Sequence, residues 1–298
     1  MSKKTYGFYG LGTMGTSIAE HLHVHSMGLQ QGPALVASRT AAKARALADA
    51  KGLEYRPDFA ALAAECDVLA LCLSTSKDVA SVIRSAPAFK AGALVVDVTS
   101  GDPGLTRIIG EELAARGVRL VDAPVSGGPK GAASGTLVSM LGGAENDMDE
   151  AWDVIGAWSS KVVRCGPLGS GDAVKAVNNA LNSAHLLLAT EGAIALKKYG
   201  VDPSVALDVV NSSSGMSLQS QRLPQYVLSR KFDFGFQLAL MRKDVGIASD
   251  LVDSLTPTAT LIPEVRRLVE AAEAKYGGDV DYTQVAMLLE DRADCELG

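Results

Sequence analysis

Short apolar runs recur through the first half of the chain, at Tyr6 to Tyr9, Ala34 to Ala37, Val68 to Leu73, Ala93 to Val98, Val118 to Val121 and Thr136 to Leu141. Each has the length and content of a strand, and several are separated by segments rich in Ala, Leu and charge with helical period. Strand and helix in alternation predict a mostly parallel sheet covered on both faces. From about Gly171 the strand-like runs stop. A long helix is predicted from about Asp172 to Tyr199, another opens at Asp202-Pro203, and later ones fall at Asp244 to Leu255 and Pro263 to Tyr276. The segment Cys165 to Gly171 carries three glycines and a proline and marks the boundary between the two patterns. The expected division is a first domain over 1–165 and an all-helical second domain over 166–298.

Length and composition narrow the function classes. A chain of 298 residues suits about two domains, and 47% hydrophobic content with 21% charge excludes a disordered chain. Lys and Arg number 28 against 34 Asp and Glu, a net charge of −6. That field repels phosphate backbones and anionic lipid, so small molecules are better partners than nucleic acid or a membrane surface. Cys66, Cys72, Cys165 and Cys295 form no CxxC pair and no zinc spacing, and no signal-like apolar run follows MSKKTYGFYG. Both features predict a reducing, cytoplasmic setting. The apolar stretch Val177 to Leu196 is broken by Asn178, Asn179, Asn182, His185 and Glu191, which suits a buried helix rather than a membrane span.

Gly10-Leu11-Gly12-Thr13-Met14-Gly15 fits GxGxxG, directly after the first strand and opening a helical run from Thr13 to Leu22. Gly10 permits the tight turn, Gly12 lets backbone approach a pyrophosphate, and Gly15 brings helix against sheet, while the helix N-terminus attracts negative charge. The fold expected is therefore α/β, a Rossmann-type doubly wound sheet. A ribose 2′-hydroxyl is read by an acid about 20 residues further on, and a 2′-phosphate by a cation. Here the second strand ends Ser38-Arg39-Thr40. The acid is missing and a guanidinium stands between two hydroxyls, so NADP is preferred and NAD is possible. The plain alternative is a solvated charge at the start of a helix.

Three further stretches suggest chemistry. Asp97-Val98-Thr99-Ser100-Gly101-Asp102-Pro103 and Asp122-Ala123-Pro124-Val125-Ser126-Gly127-Gly128 each follow a strand, on the edge where open α/β sheets bind ligands. The Ser-Gly-Gly turn can offer a hydroxyl and successive N–H groups to a carboxylate, or it can be a structural turn. Lys175, Asn178 and Asn179 share one face of the long helix through offsets of three and four. Burying a lysine and two carboxamides without partners is costly, and a solvated face is the bland alternative.

With these motifs in hand, the sequence resembles the β-hydroxyacid dehydrogenase family, which includes 3-hydroxyisobutyrate dehydrogenase, tartronate semialdehyde reductase and glyoxylate/succinic semialdehyde reductase. The resemblance rests on FYGLGTMG, DVTSGDP, DAPVSGGPKGAASGTL, GPLGSGDAVKAVNNA and LALMRKDVGIA, in that order over nearly the whole chain. It implies that Lys175 is the catalytic lysine, that Ser126, Gly127 and Gly128 hold the substrate carboxylate, and that Asn178 and Asn179 lie near the reacting carbon. It implies cofactor contacts at Leu73 and Ser74, at Ser100 beside the nicotinamide end, and at Lys243, which closes over the cofactor. Ser38-Arg39-Thr40 resembles the Asn-Arg-Thr of NADP-using relatives. The sequence departs from the pattern at Ser74, where proline is frequent, and at His21, where asparagine is common. The implied activity is hydride transfer between NADP(H) or NAD(H) and a small carboxylate-bearing hydroxy acid or semialdehyde. A lysine donates a proton when charged and accepts one when neutral, which suits the acid/base role. The implied assembly is a homodimer or homotetramer through the helical domain.

The rivals are an NADPH-dependent imine reductase, a non-catalytic dinucleotide sensor on the same fold, and a decarboxylating sugar-acid dehydrogenase, which is much longer. Lys175 and the intact Ser-Gly-Gly loop count against the first two. His21, His23 and His25 would diverge around a helix, so no metal site is expected. Asp147, Asp149 and Glu150 read as a solvated acidic turn, and Trp152 and Trp158 as core or interface packing. Ser212 to Gly215, Gln219 and Arg222 are candidates for reading the rest of the substrate.

Overall fold

The computed structural model describes residues 3–298; Met1 and Ser2, the first residues of the stretch searched for an export signal, lie outside the described residues. The first part of the chain runs β1 (Tyr6–Tyr9), α1 (Gly15–Gly28), β2 (Leu35–Ala37), α2 (Ala41–Lys51), β3 (Glu54–Tyr55), α3 (Phe59–Glu65), β4 (Val68–Leu71), α4 (Ser76–Ser85), β5 (Leu94–Asp97), α5 (Pro103–Ala114) and β6 (Arg119–Asp122). β7 (Val125–Ser126), α6 (Gly128–Ser134), β8 (Leu137–Gly142), α7 (Glu145–Ile155) and β9 (Ser159–Gly166) follow. All six expected runs form strands. β3, β7 and β9 are additional: two of them are only two residues long, and β9 is mostly half-buried or exposed, so none shows a continuous apolar run.

The sheet order is β3-β2-β1-β4-β5-β6-β8-β7, with β9 beside β8. Pairings from β3 through β6 are all parallel, and β8 runs antiparallel to β6 and β7. Alternate residues of each strand feed two cores. Phe8, Val36, Ala70 and Val96 meet Ile18 and Leu22 of α1 and Ala151 of α7 on one face. Tyr9, Leu35, Leu69 and Val95 meet Leu62 of α3, Ile83 of α4 and Ile109 of α5 on the other. Burial on both faces is why these strands read as solid apolar runs rather than alternating ones. Trp158 is fully buried in the first core, whereas Trp152 stays partly exposed under the Arg164 guanidinium.

Local chemistry starts the helices. Asp58, Thr75 and Asp102 cap α3, α4 and α5 by accepting hydrogen bonds from backbone N–H groups, and Pro103 follows Asp102 where its missing N–H costs nothing. The acidic residues expected in a turn instead lie on α7 and are ion-paired. Arg119 reaches Asp147 at 3.2 Å and Glu150 at 2.5 Å, and Arg164 reaches Asp149.

The rest of the chain is helical: α8 (Ser170–Tyr199), α9 (Pro203–Asn211), α10 (Leu218–Leu223) running into a π-helical turn at Pro224–Leu228, α11 (Leu238–Leu255), α12 (Leu261–Tyr276), a 3₁₀ turn at Tyr282–Gln284 and α13 (Val285–Ala293). Asp202 caps α9 as its Asp-Pro start suggests. α11 starts at Leu238, ahead of the expected Asp244, because Arg242 and Lys243 interrupt the apolar pattern without interrupting the helix. A third core gathers Leu187 and Ile194 of α8, Val245 of α11, Val269 of α12 and Leu288 of α13 around the fully buried Tyr282. Two compact units result, Met1–Lys175 and Ala176–Gly298, and the division falls inside α8. Among the described residues, no helix is long and apolar enough to cross a membrane.

Candidate active site

Strand register assembles the first unit's site. Ala37 pairs with Tyr9, Tyr9 with Leu71, Leu71 with Asp97, and Asp97 with Asp122. Five strands therefore end in one row, and Gly10, Ser38, Cys72, Val98 and Ala123 all leave the sheet along the same edge. β1 lies between β2 and β4, so successive connections run in opposite directions on its two sides, the place where such sheets open a crevice.

The glycine turn after β1 has three different environments. Gly10 has φ +109°, and a Cβ there would lie 2.2 Å from the Cys72 carbonyl oxygen. A Cβ on Gly15 would lie 1.8 Å from the carbonyl oxygen of Gly10. A Cβ on Gly12 would meet no atom within 4 Å. Two glycines are thus demanded by the fold itself, while the third leaves an open approach to backbone. No side chain caps α1, in contrast to α3, α4 and α5. An exposed backbone arch at the start of an uncapped helix fits the pyrophosphate of a dinucleotide. Leu11 is buried beneath it, Thr13 is exposed and Met14 half-buried.

Ser38, Arg39 and Thr40 follow β2 on the same edge. Arg39 is exposed, and its charge opposes the rise in the Tyr9 phenol caused by burial. Leu73 donates its N–H to Thr99 Oγ1 at 3.0 Å, which ties the loop after β4 to the loop that holds Ser100. Ser74 is exposed beside it and Ser100 is half-buried. Ser126 closes β7, and Gly127 (φ +131°) and Gly128 (φ +64°) turn the chain into α6. Two successive positive φ values suit glycine alone and orient neighbouring N–H groups out of the strand.

Lys175 lies in the second turn of α8 with 9% of its surface exposed. Two aspartates to which the sequence reading gave no role fasten this helix start. Asp122, at the end of β6, accepts hydrogen bonds from the N–H of Gly169 at 2.7 Å and of Asp172 at 2.8 Å. Asp172 in turn accepts from the Gly101 N–H at 2.9 Å and the Thr106 hydroxyl at 2.7 Å. Burial pushes the Asp122 acid up against the pull of its N–H donors. Burial, then Asp122 and Asp97, push Asp172 well above the ordinary carboxyl range. Both residues sit inside stretches noted above, but only their burial marks them out.

In the second unit, Asn179 donates from Nδ2 to Asp244 Oδ2 at 2.5 Å, and Lys243 Nζ lies 3.0 Å from the other oxygen of the same carboxylate. Asp244 is 2% exposed and thus links two expected site residues, Asn179 and Lys243. Asn178 donates to the Asn179 carboxamide oxygen at 3.2 Å. Ser212 to Gly215 form an exposed turn after α9. Gln219 is buried and bonded to Asn182, and Arg222 lies over the Phe234 ring, so these two side chains are engaged within their own unit.

The three histidines lie on α1 and face separate partners. His21 Nε2 meets the Ala132 carbonyl at 3.0 Å, His23 Nδ1 accepts from the Ala34 N–H at 3.3 Å, and His25 packs edge-on against Tyr6. Among the described residues, no group of three or more His, Cys, Asp or Glu is placed to hold a metal.

A family described as the NAD binding domain of 6-phosphogluconate dehydrogenase matches residues 5–166, and one described as NAD-binding of NADP-dependent 3-hydroxyisobutyrate dehydrogenase matches 169–289. The 2-(hydroxymethyl)glutarate dehydrogenase of Eubacterium barkeri is 32% identical over 81% of this chain and 80% of its own length. The structure of Mycobacterium tuberculosis 3-hydroxyisobutyrate dehydrogenase with L-serine superposes with TM-score 0.84 at 27% identity, covering 97% of this chain and 99% of that one. That of Psf3 in complex with NADP+ and 2-OPP gives TM-score 0.81 at 25% identity over 96% and 100% of the two chains. An imine reductase from Pseudomonas sp. shares only the fold, at TM-score 0.60 and 16% identity over 97% and 100%. With its doubly wound nucleotide-binding unit and its helical second unit, the chain belongs to the β-hydroxyacid dehydrogenase family, as an NAD(P)-dependent oxidoreductase of the 3-hydroxyisobutyrate dehydrogenase type.

Proposed function

We propose that this chain interconverts small carboxylate-bearing semialdehydes and their hydroxy acids, preferentially with NADP(H), using Lys175 as the acid/base. The observation that carries the reading is the placement of Lys175: a buried lysine in the second turn of α8, whose start is bonded to the loop that follows β5 and to the end of β6. The nicotinamide, when bound, supplies or takes up the hydride. The protein's task is then to hold the substrate and manage one proton at the carbonyl or alcohol oxygen. Lys175 Nζ gives that proton to the developing alkoxide during reduction and takes it back during oxidation. Ser126 with the N–H groups at Gly127 and Gly128 receives the carboxylate, which fixes the reacting carbon relative to the lysine. Asn178 and Asn179, one turn further along the helix, steady the substrate or the lysine.

Preference for NADP is supported by exposed Arg39 at the end of β2, where no acid stands to read a 2′-hydroxyl, with Ser38 and Thr40 beside it. A guanidinium matches a phosphate with two parallel hydrogen bonds. The NADP+ complex of Psf3 accords with this choice. The glycine turn and uncapped α1 serve either dinucleotide.

The test is consumption of NADPH and of NADH by the wild type and Lys175→Ala over glyoxylate and succinic, methylmalonic and tartronic semialdehydes. Turnover that collapses in the variant while the dinucleotide still binds supports the reading. Full turnover by Lys175→Ala refutes the acid/base role, and tight dinucleotide binding with no turnover on any carboxylate-bearing aldehyde favours a sensor.

A further inference from the structure

We propose that Asp172 is a positioning residue for the reaction, its carboxylate locking the start of α8, and with it Lys175, onto the loop that follows β5. The inference rests on the acid/base reading of Lys175. Asp172 precedes Lys175 by three residues, so the two share one side of the helix.

An acidic residue in a first helical turn ordinarily serves its own helix, by capping or by its charge. Asp172 does neither through its carboxylate contacts. Both oxygens are taken by groups outside α8, the Gly101 N–H on the loop after β5 and the Thr106 hydroxyl on α5. The capping task belongs to Asp122, which reaches in from β6 to the Gly169 and Asp172 N–H groups. A chain of hydrogen bonds therefore runs from the end of β6 through the backbone and side chain of Asp172 to Gly101, which adjoins Ser100. The fit is close: a Cβ on Gly101 would lie 2.8 Å from Asp172 Oδ2 and 2.6 Å from Ser76 Oγ. Ser76 Oγ accepts the Asp102 N–H at 2.7 Å and braces the same loop from α4.

The choice of residue is costly in a way that a plain structural tie does not need. Asp172 and Asp122 are 1% and 0% exposed, and Asp97 is also buried nearby. Gathering carboxyl groups in a low-dielectric interior opposes folding unless a proton is retained. An arrangement that sacrifices stability to fix one turn of helix at the edge of a ligand crevice belongs with site preorganisation.

The test measures kcat, KM and dinucleotide Kd for Asp172→Ala, Asp172→Asn and Thr106→Val, and repeats Asp172→Ala in a Lys175→Ala background. Asp172→Ala is expected to lower kcat by about 10- to 100-fold, the scale of a misplaced catalytic group, with Kd unchanged. Asp172→Asn should restore kcat to near the wild-type value, because its amide oxygen accepts from Gly101 and its NH₂ donates to Thr106 Oγ1. In the Lys175→Ala background the same Ala substitution should leave the residual rate unaltered, since there is no lysine left to position. An unchanged kcat for Asp172→Ala overturns the proposal, as does an equal fall in both backgrounds, which denotes loss of folded enzyme. Should Asp172→Ala not fold, Thr106→Val decides: a lower kcat at constant Kd supports positioning, and a wild-type kcat overturns it. Failure of the underlying reading has a separate signature, full turnover by Lys175→Ala alone, and removes the proposal with it.

Discussion

The three glycines of the turn after β1 allow fold and binding to be separated by single methyl groups. Gly12→Ala places a Cβ where no atom lies within 4 Å, so the unliganded protein has nothing to push aside. Replacing glycine in a compatible conformation lowers the entropy of the unfolded chain and stabilises by about 0.4–1 kcal/mol. Its melting temperature should therefore hold or rise slightly. The same methyl group occupies the approach to the backbone N–H groups, and each charge-assisted hydrogen bond lost to a pyrophosphate costs about 1.5–3 kcal/mol, or about 10- to 150-fold in Kd. Gly15→Ala is different. Its Cβ would stand 1.8 Å from the Gly10 carbonyl oxygen, a backbone atom that cannot rotate away, so turn and helix must separate. Overpacking of this kind costs about 1–3 kcal/mol, and at about 2–4 °C per kcal/mol the melt should fall by several degrees, with binding lost as well. Thermal melts without ligand and fluorescence titrations with NADPH measure both quantities on both variants. Wild-type NADPH affinity in Gly12→Ala, or a wild-type melt in Gly15→Ala, would refute the division of labour drawn from the turn.

Arg39→Gln should weaken NADPH by about tenfold or more, the loss of a charge-assisted pair to phosphate, while leaving NADH nearly unchanged; parallel titrations with the two cofactors check it, and an equal loss for both would remove Arg39 as the 2′-phosphate reader. Stability against pH should expose the buried acids. Asp172 is held well above the ordinary carboxyl range, so its contribution is fully present below the unfolded carboxyl pKa and is lost as pH rises through the folded value. Asp172→Asn removes that penalty, and its melting temperature should exceed the wild type's at neutral pH, with the gap narrowing in mild acid; a gap that widens in acid would show the carboxylate to be stabilised in its charged form.

Much of this molecule is written locally. The strands β1, β2, β4, β5, β6 and β8 are short apolar runs because burial on both faces asks for nothing else, and the helix starts at Asp102-Pro103 and Asp202-Pro203 follow from side-chain oxygens that satisfy N–H groups a few residues away. The glycine turn is equally local, since its backbone must bend within six residues. The division of the chain into an α/β part and a helical part was visible from the loss of strand-like runs after Gly171. Tertiary structure decided what periodicity cannot carry. Asp122 meets Asp172 across 50 residues, and Asn179 meets Asp244 across 65. These aspartates look like ordinary polar residues in the sequence; strand register and helix docking bury them, and burial turns a solvated charge into one that must find a partner. Gln219, expected to read substrate, is committed to Asn182 for the same reason, and Asp147 and Glu150 became partners of Arg119 once α7 was laid beside β6. The chain thus specifies its elements through interactions over a few residues, while the partners of its buried polar groups are set only when distant segments are packed together.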